Sequence, residues 1–318
     1  MPGFLARVRP DGSGQSLGDG VLFGLCGLAA LLAIVVIFEV GYQIVAGASP
    51  AISKFGFGLL GRQTWAPNFN EFGAAVLIYG TVVSSLMALI LALPIGASIG
   101  IYLSMLAGPR VRAVVGPLVE LLAAIPSVIL GFWGILVLSP FVQQHFEPWL
   151  NHAFGFIPLF GAPQTNGSSV FTASLILTIM IVPIVASLSR DLFLTVPHEL
   201  QEGAAALGAT RWEAIRGIVL PSTASGVIAA SVLGLGRALG EAIAVTQVIG
   251  AGTAIHDSVF RTGDTLASRI AEVFPGDHAL FTASLFYLAL ILLVIGLTTN
   301  LFAQWLGRRF DMRGGMAR

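Results

Sequence analysis

The sequence predicts an all-α, polytopic membrane protein with six transmembrane helices. Of its 318 residues, 56% are hydrophobic and only 10% are charged, whereas soluble domains carry about 25% charged residues. Six apolar segments also reach or exceed the ~20 residues that a bilayer-crossing helix needs. They run over residues 21–47, 76–103, 114–138, 170–194, 224–250 and 279–302.

These segments divide the chain into four parts. A tail over residues 1–20 precedes a first transmembrane helix over 21–47, a core of five helices occupies 72–302, and a second tail covers 303–318. Within the core, a long connection over residues 195–223 joins the fourth and fifth helices. The first apolar run is too long for a signal-peptide core and lacks a clear cleavage site, so it is predicted to be retained.

The basic residues predict the orientation. If both termini lie on one side, eleven of the sixteen Lys and Arg residues share that side, four lie on the other, and Arg237 falls inside a span. Cytoplasmic loops carry the excess of Lys and Arg, so both termini and the loop 195–223 are predicted to be cytoplasmic. The stretch 139–169 is then an outer loop, whose Phe and Trp side chains are predicted to lie at the membrane interface.

Composition argues against several kinds of site. The single cysteine, Cys26, excludes an intrachain disulfide and a cysteine-cluster metal site. The histidines are scattered without the spacing of a ligand set, so no metal site is predicted. The formal net charge is zero, so charge implies no nucleic-acid partner. Inside the spans, Pro94, Pro126 and Pro183 are predicted to kink their helices.

Two charges inside the fifth segment form the first candidate site. Arg237 lies 15 residues beyond Ser222, which is about 22 Å along a helix. An arginine at that depth costs ~2.5–3.5 kcal/mol, and Glu241, four residues further on, is expected on the same helical face together with Gly234. Two interpretations stay open: an internal ion pair that locks helix packing, or a face that lines the route of an anion, for which the planar guanidinium is suited.

The glutamate could serve an anion route in two ways. It could hold Arg237 as a counter-ion while the route is empty, or accept a hydrogen bond from a protonated oxyanion. Phosphate carries a proton near neutral pH and sulfate does not, so the second role would favour phosphate. Three hydroxyl residues, Ser127, Thr81 and Ser85, are further candidates for the route, although bonding to a helix carbonyl is the commoner fate of such side chains.

The loop "EGAAALGATRWEAIRGIVLP", residues 202–221, carries the second candidate site. Its alanines favour a helix, Gly208 interrupts that helix, and a second helix follows until Pro221 opens the next span. Long, ordered connections are usually functional. The expected use of this one is to present a helix to the groove of a soluble partner.

This loop resembles the EAA loop of ABC-importer permeases, whose pattern is EAA, three residues, G, nine residues, I, one residue and LP. The residues that match the pattern are Glu202, Ala204, Gly208, Ile218, Leu220 and Pro221. Gly203 departs from it, since alanine is usual there, and weakens the helix by about 1 kcal/mol at most. The resemblance implies a type I ABC-importer permease fold and a loop that docks onto a separate ATPase subunit.

The chain itself has no sequence for an ATP site. A phosphate-binding P-loop requires Gly-Lys-Ser/Thr, and the only lysine, Lys54, stands between Ser53 and Phe55. No cofactor is therefore predicted in this chain, and ATP and Mg²⁺ are expected in the partner ATPase.

Four further stretches narrow the resemblance to the PstC-type permeases of phosphate importers. They are "WAPNFNEFG" (65–73), the second apolar segment with its flanks (72–104), "AAIPSVILGFWG" (123–134) and "RALGEAIAV" (237–245). The resemblance implies phosphate import by alternating access across the cytoplasmic (inner) membrane of a prokaryote, in contact with membrane lipid. It also implies three kinds of subunit around this chain: a second, PstA-type permease, two PstB-type ATPase subunits and an extracytoplasmic PstS-type phosphate-binding protein.

Other functions remain as alternatives. The chain could be the PstA-type partner permease, or part of an importer of another oxyanion such as sulfate or phosphonate. An intramembrane enzyme would need a nucleophile with a base, or a metal cluster, at membrane depth; the six predicted segments contain no histidine and Cys26 has no partner. A proton-driven secondary transporter working through Glu241 is a further class, and the EAA-type loop argues against it.

Overall fold

The computed structural model describes residues 17–162 and 167–315. Over these ranges the regular structure is helical, and the extended pairing is confined to one isolated bridge between Ala66 and Glu71. Arg7, Arg9 and Arg318, which contribute to the predicted orientation, lie outside the described residues. The second predicted tail is helical as far as Gly315.

The helices are numbered in chain order. They are α1 (Leu17–Phe55), α2 (Gly58–Gly61), α3 (Ala75–Ile101), α4 (Pro109–Ala123), α5 (Ser127–Trp133), α6 (Ser139–Phe141), α7 (Glu147–Phe154), α8 (Val170–Leu194), α9 (His198–Ala206), α10 (Arg211–Ala214), α11 (Leu220–Gly240), α12 (Ile243–Ile249), α13 (Leu266–Val273) and α14 (Ala279–Gly315). Four π-helical turns continue these helices, over Tyr102–Leu106, Gly134–Leu138, Val142–Phe146 and Ile215–Val219.

The chain divides after Gly47 into two compact units. The described part of the first unit is the α1 stretch over residues 17–47. Its most apolar window has a mean hydropathy of 3.0 and contains no buried residue, as expected for a helix whose neighbours are lipid or other subunits. The second unit begins at Ala48 and contains all the other helices.

The described residues contain six helices that are long and apolar enough to cross a membrane, so the prediction of six spans is confirmed. They are Gly18–Phe55, Ala75–Leu106, Ser127–Phe154, Val170–Leu194, Arg211–Gly240 and Ala279–Trp305. The first, second, fourth and sixth agree with the predicted segments to within several residues.

The predicted position of the third span, 114–138, is wrong. The spanning helix runs from Ser127 to Phe154, and residues 109–123 form the separate helix α4. The break falls at Pro126, whose ψ of 135° is not helical, because proline has no N–H to donate and disfavours helical geometry in the residue before it. Pro126 therefore separates two helices, whereas a kink within a single helix was predicted.

Half of the predicted outer loop 139–169 is accordingly helical. The third spanning helix continues through α6 and α7 to Phe154, and each of these segments has a proline in its first turn. Each segment directly follows a π-helical turn, Gly134–Leu138 or Val142–Phe146, and such local adjustments let a spanning helix tolerate a proline. The aromatic side chains Trp149 and Phe156 are exposed, which is compatible with the predicted interfacial position.

Helix α8 lies at the centre of the second unit and is the most buried of the six candidate spans. Helix α3 packs along it, and the approach is close at Gly96, where a Cβ would lie 2.8 Å from Cβ of Val185. One hydrophobic core joins α3, α5, α8 and α12, with Ala88, Leu130, Ile176 and Val248 among its buried residues. Helix α11 packs between α8 and α14, which sets the position of Arg237.

Candidate functional site: a break in the fifth span and an exposed helical loop

The predicted fifth span, 224–250, is not one helix: it is interrupted between the two charges that the sequence singles out, and the helix long enough to span runs over Arg211–Gly240. Helix α11 ends at Gly240, Glu241 is extended (φ −73°, ψ 117°), and α12 begins at Ile243. The prediction that Arg237 and Glu241 share one face of a continuous helix is therefore wrong. In the structure Arg237 lies in the last turn of α11, and Glu241 belongs to the break.

The side chain of Glu241 takes part in the break. Its Oε1 accepts a hydrogen bond from the backbone N–H of Ala244 at 3.2 Å. In a continuous helix that N–H would bond to the carbonyl of Gly240. A side chain that satisfies this donor stabilises the start of α12, as a capping residue does. Glycine at position 240 also lowers the helix propensity at this point.

Arg237 is exposed and lines a cleft of about 680 Å³ between α11 and α14. The cleft is also lined by Ile184, Gly236, Gly296 and Asn300. Gly296 lies well inside the last candidate span, Ala279–Trp305, so the guanidinium is at membrane depth. No ion pair among the described residues includes Arg237 or Glu241, so the structure does not contain the Arg–Glu pair that was one of the two interpretations.

Gly234 does not belong to the face that carries Arg237. A Cβ at Gly234 would lie 2.7 Å from Cγ2 of Ile181, whereas nothing lies within 4 Å of a Cβ at Gly236. Gly234 therefore allows α11 to approach α8, and the open side of α11 belongs to the cleft. A second cavity of about 480 Å³ shares Ala229, Val232 and Asn300 with the first, so the open space extends along the groove between α11 and α14.

The predicted hydroxyls lie in different places. Thr81 donates to the carbonyl of Leu77 at 2.7 Å and accepts from the N–H of Leu266 at 2.9 Å, and Ser85 donates to the carbonyl of Thr81 at 2.6 Å. Both side chains are buried, and neither lines the cleft with Arg237. The bonds to the Leu77 and Thr81 carbonyls lie within α3, and the bond to Leu266 joins α3 to the start of α13. Ser127, in contrast, is half-buried at the first residue of α5, next to the Pro126 break.

The loop between the fourth and fifth spans has the predicted helix, glycine turn and helix. Helix α9 ends at Ala206, and Gly208 adopts a φ of +88°, a conformation that glycine reaches at little cost. Thr210 and Glu213 then form a capping box at the start of α10. From Arg211 the helical path runs on through the π-helical turn into α11, so Pro221 lies inside the fifth span and does not begin it.

The turn exposes large apolar side chains. Leu207 is 91% exposed, Trp212 61% and Leu200 51%. The residues that match the EAA pattern lie along the same segment: Glu202, Gly203, Gly208 and Pro221 are exposed, and Ala204, Ile218 and Leu220 are half-buried. An exposed apolar cluster on an ordered turn is typical of a surface that another protein covers.

Sequence reasoning missed the ionic contacts of two arginines. Arg190 near the end of α8 lies 2.9 Å from Glu120 of α4 and 2.9 Å from Asp191. Arg269 of α13 lies 2.5 Å from Asp264, which is 1% exposed. Burial raises the pKa of the Asp264 carboxyl, and the Arg269 charge and a hydrogen bond from Ser268 oppose that shift. The sequence signal was the presence of acids and arginines near the end of an apolar segment and in the connection 251–278, which does not say which residues meet.

Six spanning helices, an interrupted helix with a charge at membrane depth, and an exposed helical loop define a multi-span transport permease. Residues 92–312 match the family model described as "binding-protein-dependent transport system inner membrane component". The chain belongs to this family.

Its relatives include the phosphate transport system permease protein PstC of Mesorhizobium japonicum, which is 40% identical over 307 residues, covering 94% of this chain and 93% of the relative. The PstC protein of Pasteurella multocida is 40% identical over 291 residues, or 90% of each chain. Among solved structures, a bacterial alginate ABC transporter in complex with an alginate-bound periplasmic protein has the same fold, with a TM-score of 0.60, 18% identity, and coverage of 92% of this chain and 97% of that one.

Proposed function

We propose that this chain is a permease subunit that carries inorganic phosphate into a prokaryotic cell, with the energy supplied by ATP hydrolysis in a partner subunit. The observation that carries the proposal is the guanidinium of Arg237, exposed in a cleft at membrane depth and without an ion pair among the described residues. A charge in that position is a candidate for substrate contact by default. The planar, bidentate geometry of arginine suits an oxyanion.

The PstC relatives, similar over nearly the whole chain, support phosphate as the oxyanion. In the proposed assembly the chain pairs with a PstA-type permease, two PstB-type ATPase subunits and a PstS-type phosphate-binding protein outside the membrane. Both termini and the helical loop then lie in the cytoplasm. The exposed cluster of Leu200, Leu207 and Trp212 supplies an apolar surface for the ATPase to cover.

ATP-driven movement of the loop would reach Arg237 directly. The helical path from Arg211 to Gly240 is continuous, so a displacement of the loop tilts the whole of α11. The break at Glu241 ends that rigid path. We propose that α11 moves relative to α12 during alternating access, which is a recognised use of interrupted spans in transporters.

Phosphate uptake by the reconstituted complex tests the proposal. Arg237→Ala and Arg237→Gln are expected to abolish uptake and Arg237→Lys to retain part of it, because lysine keeps the charge but not the bidentate fork. Arg110→Ala removes another exposed arginine that does not line the cleft and serves as the matched control. Uptake at the wild-type rate in Arg237→Ala would exclude this residue from the substrate path.

The role of Glu241 in selectivity needs a different comparison. Glu241→Gln keeps an oxygen that can accept the Ala244 N–H, whereas Glu241→Ala removes it. If the carboxylate accepts a proton-bearing oxygen of phosphate, Glu241→Gln lowers phosphate uptake and reduces the discrimination against sulfate. If the residue only caps α12, Glu241→Gln transports normally and only Glu241→Ala is impaired.

A further inference from the structure

An apolar groove that shares no lining residue with the Arg237 cleft lies between the last helix, the start of α3 and the end of α1 with the residues that follow it. Its volume is about 500 Å³. The lining residues include Ile52, Gly56, Ile78, Tyr287, Leu290 and Val294. The hydroxyl of Tyr287 donates to the carbonyl of Gly56 at 3.0 Å, so the one polar side chain of the lining has its hydrogen bond within the protein. The groove therefore offers an occupant apolar contact only.

The groove belongs to the leaflet that is remote from the helical loop. Ile78 lies in the first turn of α3, and the opposite end of that spanning helix, at Met105 and Leu106, lies beside Gln201 of α9. Tyr287 likewise lies in the first third of the last candidate span. The groove thus runs inward from the end of the spans where residues 56–74 connect α1 and α3.

Two cations flank the end of the groove. Nζ of Lys54 lies 5.3 Å from the ring centroid of Phe55, and Cζ of Arg62 lies 6.0 Å from the same centroid. Both are exposed, and the ion pairs of the described residues include neither. Nε of Arg62 would lie 3.9 Å from a Cβ at Gly58, next to Phe57 of the groove lining, and Lys54 lies against the same Phe55 ring as Arg62. Positive charge therefore lies beside the apolar surface, at the end of a span where lipid headgroups are found.

We propose that this groove is a binding site for one anionic phospholipid, with an acyl chain along the groove and the phosphate between Lys54 and Arg62. The two positive charges beside the groove favour an anionic lipid over the other possible occupants. A zwitterionic lipid brings a cation of its own to the two basic side chains, and a soluble phosphate cannot fill an apolar groove. Basic side chains at the end of a span attract the headgroups of anionic lipids.

Lys54 is the only lysine in the chain, so its reactivity reports on the site. The assembled complex is placed in nanodiscs of phosphatidylcholine, with or without phosphatidylglycerol, and treated with an uncharged amine-reactive ester, after which the Lys54 peptide is quantified by mass spectrometry. Labelling is expected to fall severalfold in phosphatidylglycerol. Soluble glycerol phosphate added to phosphatidylcholine nanodiscs is expected to give no protection.

Two matched variants separate the groove from general surface attraction. Val294→Trp fills the groove, and Leu293→Trp places the same side chain on the neighbouring residue, which does not line it. The first is expected to restore Lys54 labelling in phosphatidylglycerol and the second to leave it protected. Equal labelling in both lipid mixtures, or full protection in Val294→Trp, would overturn the proposal.

Native mass spectrometry provides a second readout that does not use the lysine. The wild-type complex is expected to retain one more phosphatidylglycerol through delipidation than the variant Lys54→Gln/Arg62→Gln. Arg62→Lys, which keeps the charge, is expected to retain it. If the double variant retains as much phosphatidylglycerol as the wild type, the assignment of the headgroup to these two residues is contradicted.

Discussion

Nη2 of Arg190 lies 2.9 Å from Oε1 of Glu120, and this contact joins α8, near its end, to α4. Beyond Arg190 the chain leaves α8 at Leu194 and enters α9, the first helix of the exposed loop. Beyond Glu120 the chain reaches the Pro126 break and the third span. The ion pair therefore connects the segment that enters the helical loop with the segment that leads into another span.

Glu120→Gln is expected to lower phosphate uptake per ATP hydrolysed while leaving the melting temperature nearly unchanged. The stability effect is small because Glu120 is about half exposed, and such pairs contribute about 0–1 kcal/mol. Uptake and hydrolysis are measured together in proteoliposomes. Asp191→Asn is the matched control, because Asp191 also contacts Arg190 but belongs to the same helix. If Glu120→Gln takes up as much phosphate per ATP hydrolysed as the wild type, the contact serves only to pack α4.

Gly208→Ala and Gly203→Ala are expected to act in opposite directions. Alanine at position 208 must adopt a φ of +88°, which costs roughly 1–2 kcal/mol, so the turn that presents Leu207 is expected to change and less ATPase to co-purify with the permease. At position 203 the backbone is helical and nothing lies within 4 Å of a new Cβ, so alanine stabilises α9 by up to about 1 kcal/mol. Equal ATPase recovery with both variants would argue against a docking role for the turn.

Gly80→Ala is expected to destabilise the protein. A Cβ at Gly80 would lie 1.9 Å from the carbonyl oxygen of Asp264, so the segment that precedes α13 would have to move away from α3, and the Thr81 bond to the Leu266 N–H would be strained. Overpacking of this kind costs about 1–3 kcal/mol. Thermal unfolding in detergent measures the loss. Gly24→Ala, at a helical glycine with nothing within 4 Å, should leave the unfolding temperature unchanged or slightly raised.

Asp264→Asn should lower the stability more than Glu272→Gln. Both carboxylates contact Arg269, Asp264 at 2.5 Å and Glu272 at 3.5 Å, but Asp264 is almost fully buried and Glu272 is not. Removing the buried partner leaves an uncompensated charge and costs about 3–5 kcal/mol, whereas the exposed partner contributes about 1 kcal/mol at most. Denaturant unfolding compares the two. If the two variants lose a similar free energy of unfolding, the Arg269 charge must be stabilised by something other than Asp264.

Local signals accounted for the spans and the loop. Hydropathy located six helices because the bilayer thickness sets the length of an apolar helix whatever its neighbours are. The loop was equally local: Gly208 provides the positive φ, and Thr210 with Glu213 at the third following position is a capping signal visible in the sequence. The third span was misplaced for a local reason too, since an averaged hydropathy joined α4 to α5 across Pro126.

Local sequence signals could not predict which charged residues meet in the folded protein. Arg190 and Glu120 are 70 residues apart in the sequence, and only the packing of α4 against α8 brings them together. The same holds for the site: a periodicity of 3.6 residues put Arg237 and Glu241 on one face, but the helix stops at Gly240 and the Glu241 carboxylate caps α12.

The sequence by itself determined the number of spans and the helix–glycine–helix loop, because both follow from local composition and chain geometry. Tertiary structure decided which hydroxyls hydrogen-bond within the helices, which acids pair with which arginines, and that Arg237 opens into a cleft with no ion pair among the described residues. These depend on contacts between segments far apart in the chain, and those contacts are fixed only when the helices pack.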